Sequence, residues 1–442
     1  MVTSVSFGDA CRYWARLGFI NFGGPAGQIA IMHDELVDRR GWISNSRFLH
    51  ALNYCMLLPG PEAQQLAIYI GWLLNGTLGG LVAGILFVLP AFFLILGLSW
   101  TYAVHGDIGW VAAIFFGLRS VVIGIVAAAV IRVGAKALAN VALQTLAVAS
   151  FIAIFFVKVP FPFIILAAGL IGAAGARIAP RLFPAPHHGD EDDDAVEVDA
   201  GPKRGHLWRS VRTLGVGLLI WWGPLAIVFI ARGGSDTLTK EAIFFSQMAM
   251  VTFGGAYAVL AYVNQAAVHH YGWLEPGQMV TGLGLAESTP GPLIMVTQFV
   301  GFMGAYRFPG GLDPVLAGIL GATVTVWATF APCFLWIFLG APYIERLRGN
   351  KTLGSALAAI TAAVVGVIAN LAVTFAIAAL FSGVRGGALG QITFPVPVLP
   401  SIDPWAAVLA AGAFIALWRF RLNVLWVVST GALAGLGRVA FQ

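Results

Sequence analysis

Two Pro-Gly-Pro triplets, Pro59–Gly60–Pro61 in "MLLPGPEAQQLAIYIGW" and Pro290–Gly291–Pro292 in "STPGPLI", interrupt otherwise apolar segments. Two glycine pairs interrupt the chain in a similar way: Gly23 and Gly24 before Pro25 in "NFGGPAGQIA", and Gly254 and Gly255 in "TFGGAYAVLA". A proline at the first helical position leaves the N–H groups of a helix start free, and glycine lets a ligand approach the backbone. Breaks of this kind offer positive helix ends, and the chemistry they favour is anion binding. Gln28, Gln64 and Thr289 are neutral polar candidates beside them. The competing reading is a packing kink, since proline and glycine are frequent in membrane helices. Recurrence of both breaks in a second copy favours the anion site.

Charged residues close to the breaks sharpen the picture. Arg119, in "IFFGLRSVVIG", falls in the middle of an apolar segment, where an arginine costs ~2.5–3.5 kcal/mol even on the mild insertion scale. It reads equally as an anion ligand or as a structural partner of Glu62 or Glu35. Arg39 and Arg40, in "HDELVDRRGW", are placed to draw anions to a cytoplasmic mouth, although most such charges only solvate a loop. Glu62 in the first turn of a helix is stabilised by the dipole by ~0.3–1 kcal/mol, yet it occupies the charge an anion needs. Glu287, in "GLAESTPGP", precedes its break, where the dipole disfavours it. A dianion about 5 Å from a carboxylate, at an effective dielectric near 20, suffers roughly 7 kcal/mol of repulsion. Either the glutamates stand farther away, or they hold protons when the anion binds. Glu62, Glu287 and Glu35 are thus the candidates for coupling to protons.

The elements that must position these residues follow from composition. The chain has 442 residues, 59% hydrophobic and only 10% charged, against about 25% charged in soluble proteins. It reads as an all-α polytopic membrane protein. Stretches near the ~20-residue length of a span run at about 78–104, 109–131, 141–157, 161–176, 214–231, 316–340, 356–381, 405–417 and 424–436. The first residues lack the pattern of a cleaved signal. Cys11, Cys55 and Cys333 have neither metal-ligand spacing nor a disulfide framework, so they read as packing residues. No metal or cofactor is implied.

The breaks belong to an internal duplication. "NFGG" and "TFGG", "GWI" and "GWL", and the two PGP triplets are each 231 positions apart. Pro90 and Pro332, and Gly124 and Gly366, are 242 apart, and "FIAIFFVK" precedes "FIALWRFR" by 263. Residues 1–180 therefore read as a first repeat, 181–210 as an acidic cytoplasmic linker, 211–232 as an extra linking span, and 238–442 as a second repeat. His187 and His188 read as linker residues. One extra span turns the second repeat over, and the distribution of basic residues agrees. Arg39, Arg40 and Arg47 lie in the loop 33–47, whose counterpart 264–278 has no Lys or Arg, while 105–107 has none and 345–351 holds Arg346, Arg348 and Lys351. The expectation is a pair of inverted repeats. Only one net crossing then fits between residues 47 and 105, so 48–75 should be two half-helices forming a hairpin broken at PGP. Broken backbone at membrane depth is tolerated only against protein or a wet cavity. Residues 7–32, broken at FGGP, read the same way, and the four breaks should meet near the midplane.

The runs "NFGGPAGQIAIMHDELVDRRGW" and "LLPGPEAQQLAIYIGW", with "TFGGAYAVLAYV" and "STPGPLIMVTQFVGF" in a second half, resemble the two-domain form of the chromate ion transporter family over nearly the whole chain. The resemblance implies a bacterial inner-membrane transporter that exports chromate and confers chromate resistance, with sulfate as a similar tetrahedral dianion. The second copy reads "FGGA" where the first reads "FGGP", and lacks the arginine pair.

Export agrees with the energetics. Moving one charge through 100 mV is worth about 2.3 kcal/mol, so a dianion leaving a negative interior gains about twice that. "RLRGNKT" lacks the glycines of a phosphate loop, so no ATP site is visible. The expected partners are the oxyanion and the lipid bilayer, with a homodimer as an open possibility and no nucleic acid. A transporter of another oxyanion shares this architecture. A membrane-embedded enzyme is the remote alternative, for which no nucleophile or metal constellation is visible; His269 and His270 fall in an outer loop. Gly80 and Gly84, like Gly431 and Gly435, read as helix packing.

Overall fold

A computed structural model describes residues 5–183, 206–253, 255–340, 351–389 and 392–440. Most of the expected linker, residues 341–350 of the basic second-half loop, and Gly254 lie outside them. The architecture is an all-α polytopic membrane protein. The first half comprises α1 (Phe7–Ile20), α2 (Gly24–His33), a π-helical turn (Asp34–Arg39), α3 (Asn45–Cys55), α4 (Glu62–His105), α5 (Gly109–Ala137), α6 (Val141–Phe155) and α7 (Phe161–Ile178). Next comes α8 (His206–Arg232). The second half comprises α9 (Thr237–Met250), α10 (Ala256–Asn264), a π turn (Gln265–His270), α11 (Gln278–Ser288), a 3-10 turn (Leu293–Met295), α12 (Val296–Arg307), α13 (Pro314–Gly340), α14 (Lys351–Leu380), α15 (Pro404–Trp418) and α16 (Val424–Ala440). Between α14 and α15 stands one antiparallel hairpin, β1 (Val384–Leu389) with β2 (Ile392–Pro397).

Six helices are long and apolar enough to cross a membrane, and three shorter apolar ones join them, among the described residues. The 44-residue α4 is not one span. Asn75 and Gly76 leave helical geometry, Gly76 at φ +63°, and the chain folds back. A Cβ on Gly71 would lie 2.5 Å from the Gly79 carbonyl oxygen and 2.6 Å from the Ala83 methyl, so the limbs 62–75 and 77–105 cross glycine to glycine. Asn75 Nδ2 ties the turn to the Val5 carbonyl at 2.9 Å. Hence α3 and the first limb of α4 are two half-helices separated by Pro59–Gly60–Pro61, and the second limb is the full-length helix. In the second half α12 and α13 cross in the same way, Gly301 against Gly321 and Thr325. Gly71→Val forces a branched side chain into a backbone crossing; overpacking of this kind costs about 1–3 kcal/mol, and a lowered melting temperature of the detergent-solubilised protein measures it.

The two halves exchange contacts reciprocally. Gly124 on α5 packs against Ala410, Ala413 and Phe414 of α15, and Gly366 on α14 packs against Ala147 and Phe151 of α6. Each glycine gives a neighbouring helix of the other half room to approach its backbone. Among the described residues, the two non-glycine residues with positive φ, Lys158 (62°) and Arg421 (52°), occupy equivalent turns 263 positions apart. The extra helix α8 lies along α13. Its Pro224 cannot donate to the Ile220 carbonyl, and Trp327 Nε1 donates to that oxygen instead, at 3.1 Å. Much of the remaining α8 surface is exposed and apolar, including Leu219, Ile227, Phe229 and Ile230, as a lipid-facing helix requires.

Candidate functional site

Each break has the backbone that glycine permits. Gly23 (φ +92°), Gly60 (+131°), Gly255 (+95°) and Gly291 (+120°) all lie in the left-handed half of conformational space. Pro25 stands in the first turn of α2, Glu62 is the first residue of α4 after Pro61, α10 starts directly after Gly255, and the 3-10 turn leading into α12 starts after Pro292. These four helix starts line one narrow cavity, formed by Pro25, Gln28, Gly60, Pro61, Glu62, Ala63, Thr252, Gly255, Ala256, Pro292, Leu293 and Ile294. The first N–H groups of a helix have no intrahelical acceptor, so both halves bring donors to this cavity.

Hydrogen bonds across the halves fix the breaks. Gly60 N–H donates to the Thr252 carbonyl at 2.9 Å, and Gly291 N–H donates to the Asn21 carbonyl at 3.2 Å. Gly60 and Gly291, like Asn21 and Thr252, are 231 positions apart, so each PGP glycine is held by the strand of backbone entering the opposite FGG. Gln28 Nε2 donates to the Asn21 carbonyl at 2.9 Å and to the Gly291 carbonyl at 2.5 Å. Gln65 Nε2 donates to the Pro59 carbonyl at 2.8 Å. The amide groups of Gln28 and Gln65 thereby spend their N–H on backbone oxygens, while the side-chain oxygens of Gln28, Gln64 and Gln65 are buried without a partner among the described residues.

The lining is chemically lopsided. Glu62 and Gln28 come from the first half, and the positions 231 residues later are Leu293 and Val259. The cavity leaves about 10 Å³ for the centre of a water-sized sphere, roughly the space for one water. A tetrahedral oxyanion needs the half-helices to part.

The match to known sequences follows the same two halves. The family described as Chromate transporter matches residues 9–173 and 240–436. The chain belongs to the chromate transporter family. It is 30% identical over 437 residues to a chromate transport protein of Pseudomonas aeruginosa, covering 98% of this chain and 92% of that one. It is 28% identical over 428 residues to a chromate transport protein of Cupriavidus metallidurans, covering 96% and 91%. A probable chromate transport protein of Synechococcus elongatus is 29% identical over 368 residues, 82% of each chain. No solved structure matches.

Within this chromate transporter family member, several candidates stand away from the cavity. Arg119 reaches toward the loop before α11: its Nη1 lies 3.9 Å from the position a Cβ on Gly277 would take, close to the end of α14. It is not among the cavity-lining residues and forms no ion pair with Glu62 or Glu35. Long cationic side chains carry their charge toward polar ends in this way. Glu35 is engaged by Arg40 (3.2 Å), Arg39 (3.6 Å) and Arg16 (3.9 Å). Arg39 also pairs with Asp34 at 2.9 Å, and the Arg40 guanidinium stacks over Tyr13 and Trp42. The arginine pair is therefore largely neutralised by its own loop. Thr289 donates back to the Leu285 carbonyl at 3.1 Å, and Gln64 is buried beside the first break.

Glu287 is buried and accepts a hydrogen bond from Tyr257 Oη at 2.5 Å, with Arg132 the cation whose field reaches both. Tyr257→Phe removes that donor from a buried carboxyl, at an expected cost of about 1–3 kcal/mol. Thermal melting reads the loss, and the double variant with Glu287→Gln should lose less than the sum of the single variants. Thr252, Gln65 and Tyr257 were not anticipated. Repeat arithmetic alone points to Thr252, as the partner position of Asn21; nothing local in the sequence points to Tyr257.

Proposed function

We propose that this chain exports chromate, a tetrahedral oxyanion dianion, from the cytoplasm across the inner membrane, conferring chromate resistance. The substrate sits where the four helix starts line one cavity, and the protein works as two repeats of opposite orientation joined by α8, with the linker cytoplasmic. The observation that carries this reading is the convergence of helix N-termini from both halves on one cavity. Backbone donors and dipoles at such ends favour an anion without a fixed cation. Cross-bonding between Gly60 and Thr252, and between Gly291 and Asn21, supports a site assembled by both halves. Sulfate carries the same geometry and charge and belongs with chromate as a competing substrate.

Efflux of a dianion is downhill in a cell with a negative interior, by about twice 2.3 kcal/mol per 100 mV. Glu62 lines the cavity and holds a proton while the dianion is bound, which couples movement of the anion to pH. Chromate uptake into everted vesicles, with sulfate, molybdate and phosphate as competitors, tests the substrate. The expected result is saturable chromate uptake reduced by sulfate more than by phosphate. Uptake insensitive to sulfate and abolished by another oxyanion would reassign the substrate.

A further inference from the structure

Glu241 lies outside the cavity described above, in the second turn of α9. Its side chain is completely buried, and among the described residues neither carboxyl oxygen makes a well-formed hydrogen bond, the backbone N–H of Ala305 on α12 being the donor that approaches it. Glycines on two other helices shape the notch it fills: a Cβ on Gly304 of α12 would stand 2.7 Å from Oε1, and one on Gly321 of α13 would stand 2.8 Å from Oε2. Thr325, one turn beyond Gly321, is also buried, and its hydroxyl is without a partner among the described residues. The position 231 residues earlier is Ala10, so the fold shared by the two halves does not require a carboxyl here.

The charged and titratable groups around this notch gather at one end of the bundle. Asp236 and Lys240 belong to the start of α9, Arg232 to the end of α8, Arg307 to the end of α12, and Tyr271 and Glu275 to the loop before α11; α13 contains no charged residue. Both arginines have other carboxylate partners, Arg232 with Asp236 at 3.0 Å and Arg307 with Glu275 at 2.6 Å. Arg232, Asp236, Lys240, Tyr271, Trp273 and Arg307 line an open pocket of about 610 Å³. Trp273 belongs to both places, because its ring also abuts Gly304, 2.9 Å from the same Cβ position that meets Glu241 Oε1.

A bare carboxylate at such a position is costly, and a partner must reach it. Hard cations take six or so oxygen ligands, whereas glycine backbone and an indole surround this group. A proton needs no further ligand. We propose that Glu241 is a proton-binding carboxyl that exchanges with the pocket between Arg232 and Arg307 past Trp273, giving the second half a protonation site separate from the anion cavity. Its influence on flux rests on the transport reading above; its proton exchange does not.

Dicyclohexylcarbodiimide, an apolar reagent that converts a protonated carboxyl to a stable N-acylurea, tests the exchange on the full-length chain reconstituted in lipid, with peptide mass spectrometry as the readout. The expected result is modification of Glu241 that falls by up to about tenfold per pH unit as pH rises, the limit for one titrating proton, and that accelerates in Trp273→Ala. Absence of modification at every pH, or modification independent of pH, would overturn the proposal. In proteoliposomes, Glu241→Gln should weaken the response of chromate flux to pH on the pocket side while leaving the response set by Glu62 and potential-driven flux in place; an unchanged pH response overturns its influence on flux. A wild-type protein without chromate flux contradicts the transport reading and leaves the labelling result to stand or fall alone.

Discussion

Gly60→Ala should lower chromate flux by roughly 10- to 100-fold, because the strain and displacement it introduces are worth about 1–3 kcal/mol at the point where the two halves are joined. Gly60 sits at φ +131°, and a Cβ there would lie 2.7 Å from Gln65 Nε2 and 3.0 Å from Cys333 Sγ. Relief requires the loop to move. Movement breaks the 2.9 Å bond from Gly60 N–H to the Thr252 carbonyl and releases Gln65 from the Pro59 carbonyl. Pro61 and the first turn of α4 then lose their aim at the cavity. Gly291→Ala should behave alike, since its Cβ would run into Ala91 and its N–H holds the Asn21 carbonyl. Gly97→Ala is the control, with nothing within 4 Å of the added methyl. Isotopic chromate flux at matched protein density checks the series, and wild-type flux in Gly60→Ala would sink the role given to the break.

Glu62→Gln should flatten the dependence of flux on pH. If the carboxyl must hold a proton while a dianion occupies the cavity, wild-type flux falls as pH rises and the proton is lost. Glutamine keeps the shape and has no charge to gain, so flux in the variant should persist at alkaline pH. The repulsion removed is of the order of several kcal/mol at a separation near 5 Å, which makes this the largest pH effect expected of any single substitution at the cavity. Glu287→Gln should change less, because Glu287 is bonded to Tyr257 and is not among the cavity-lining residues. Equal pH profiles for wild type and Glu62→Gln would remove Glu62 from the coupling scheme.

The parts of this arrangement legible in the sequence were those carried by backbone chemistry and by periodic length. Pro59–Gly60–Pro61 announces a helix break wherever it stands, and the span count around it required the fold-back found at Asn75 and Gly76. Side-chain partners were less legible, because they depend on where other helices arrive. Arg119 was weighed as an anion ligand from its depth alone, yet the rotation of α5 and the reach of its side chain place the guanidinium toward Gly277. Arg39 and Arg40 looked like free cations until the π-helical turn brought Asp34 and Glu35 against them. Glu241, in "TLTKEAIFF", resembles an ordinary carboxylate at the start of a helix. Only the glycines of α12 and α13 packed against it reveal that the carboxyl is fully buried.

The unequal chemistry of the two halves has a functional consequence. Backbone breaks are supplied in pairs, but Gln28 and Glu62 are supplied once, by the first half. On the proposed reading, substitution of Leu293 or Ile294 should therefore alter access and fit, substitution of Gln28 should release the Asn21 and Gly291 carbonyls, and substitution of Glu62 should alter the charge state in which the anion is accepted.

The most direct test is chromate flux in proteoliposomes containing only this protein, with membrane potential and pH gradient imposed separately. The account predicts that chromate moves toward the positive side, reverses when the potential is reversed, and is slowed by sulfate and by Gly60→Ala. Absence of chromate flux under every imposed gradient would contradict it.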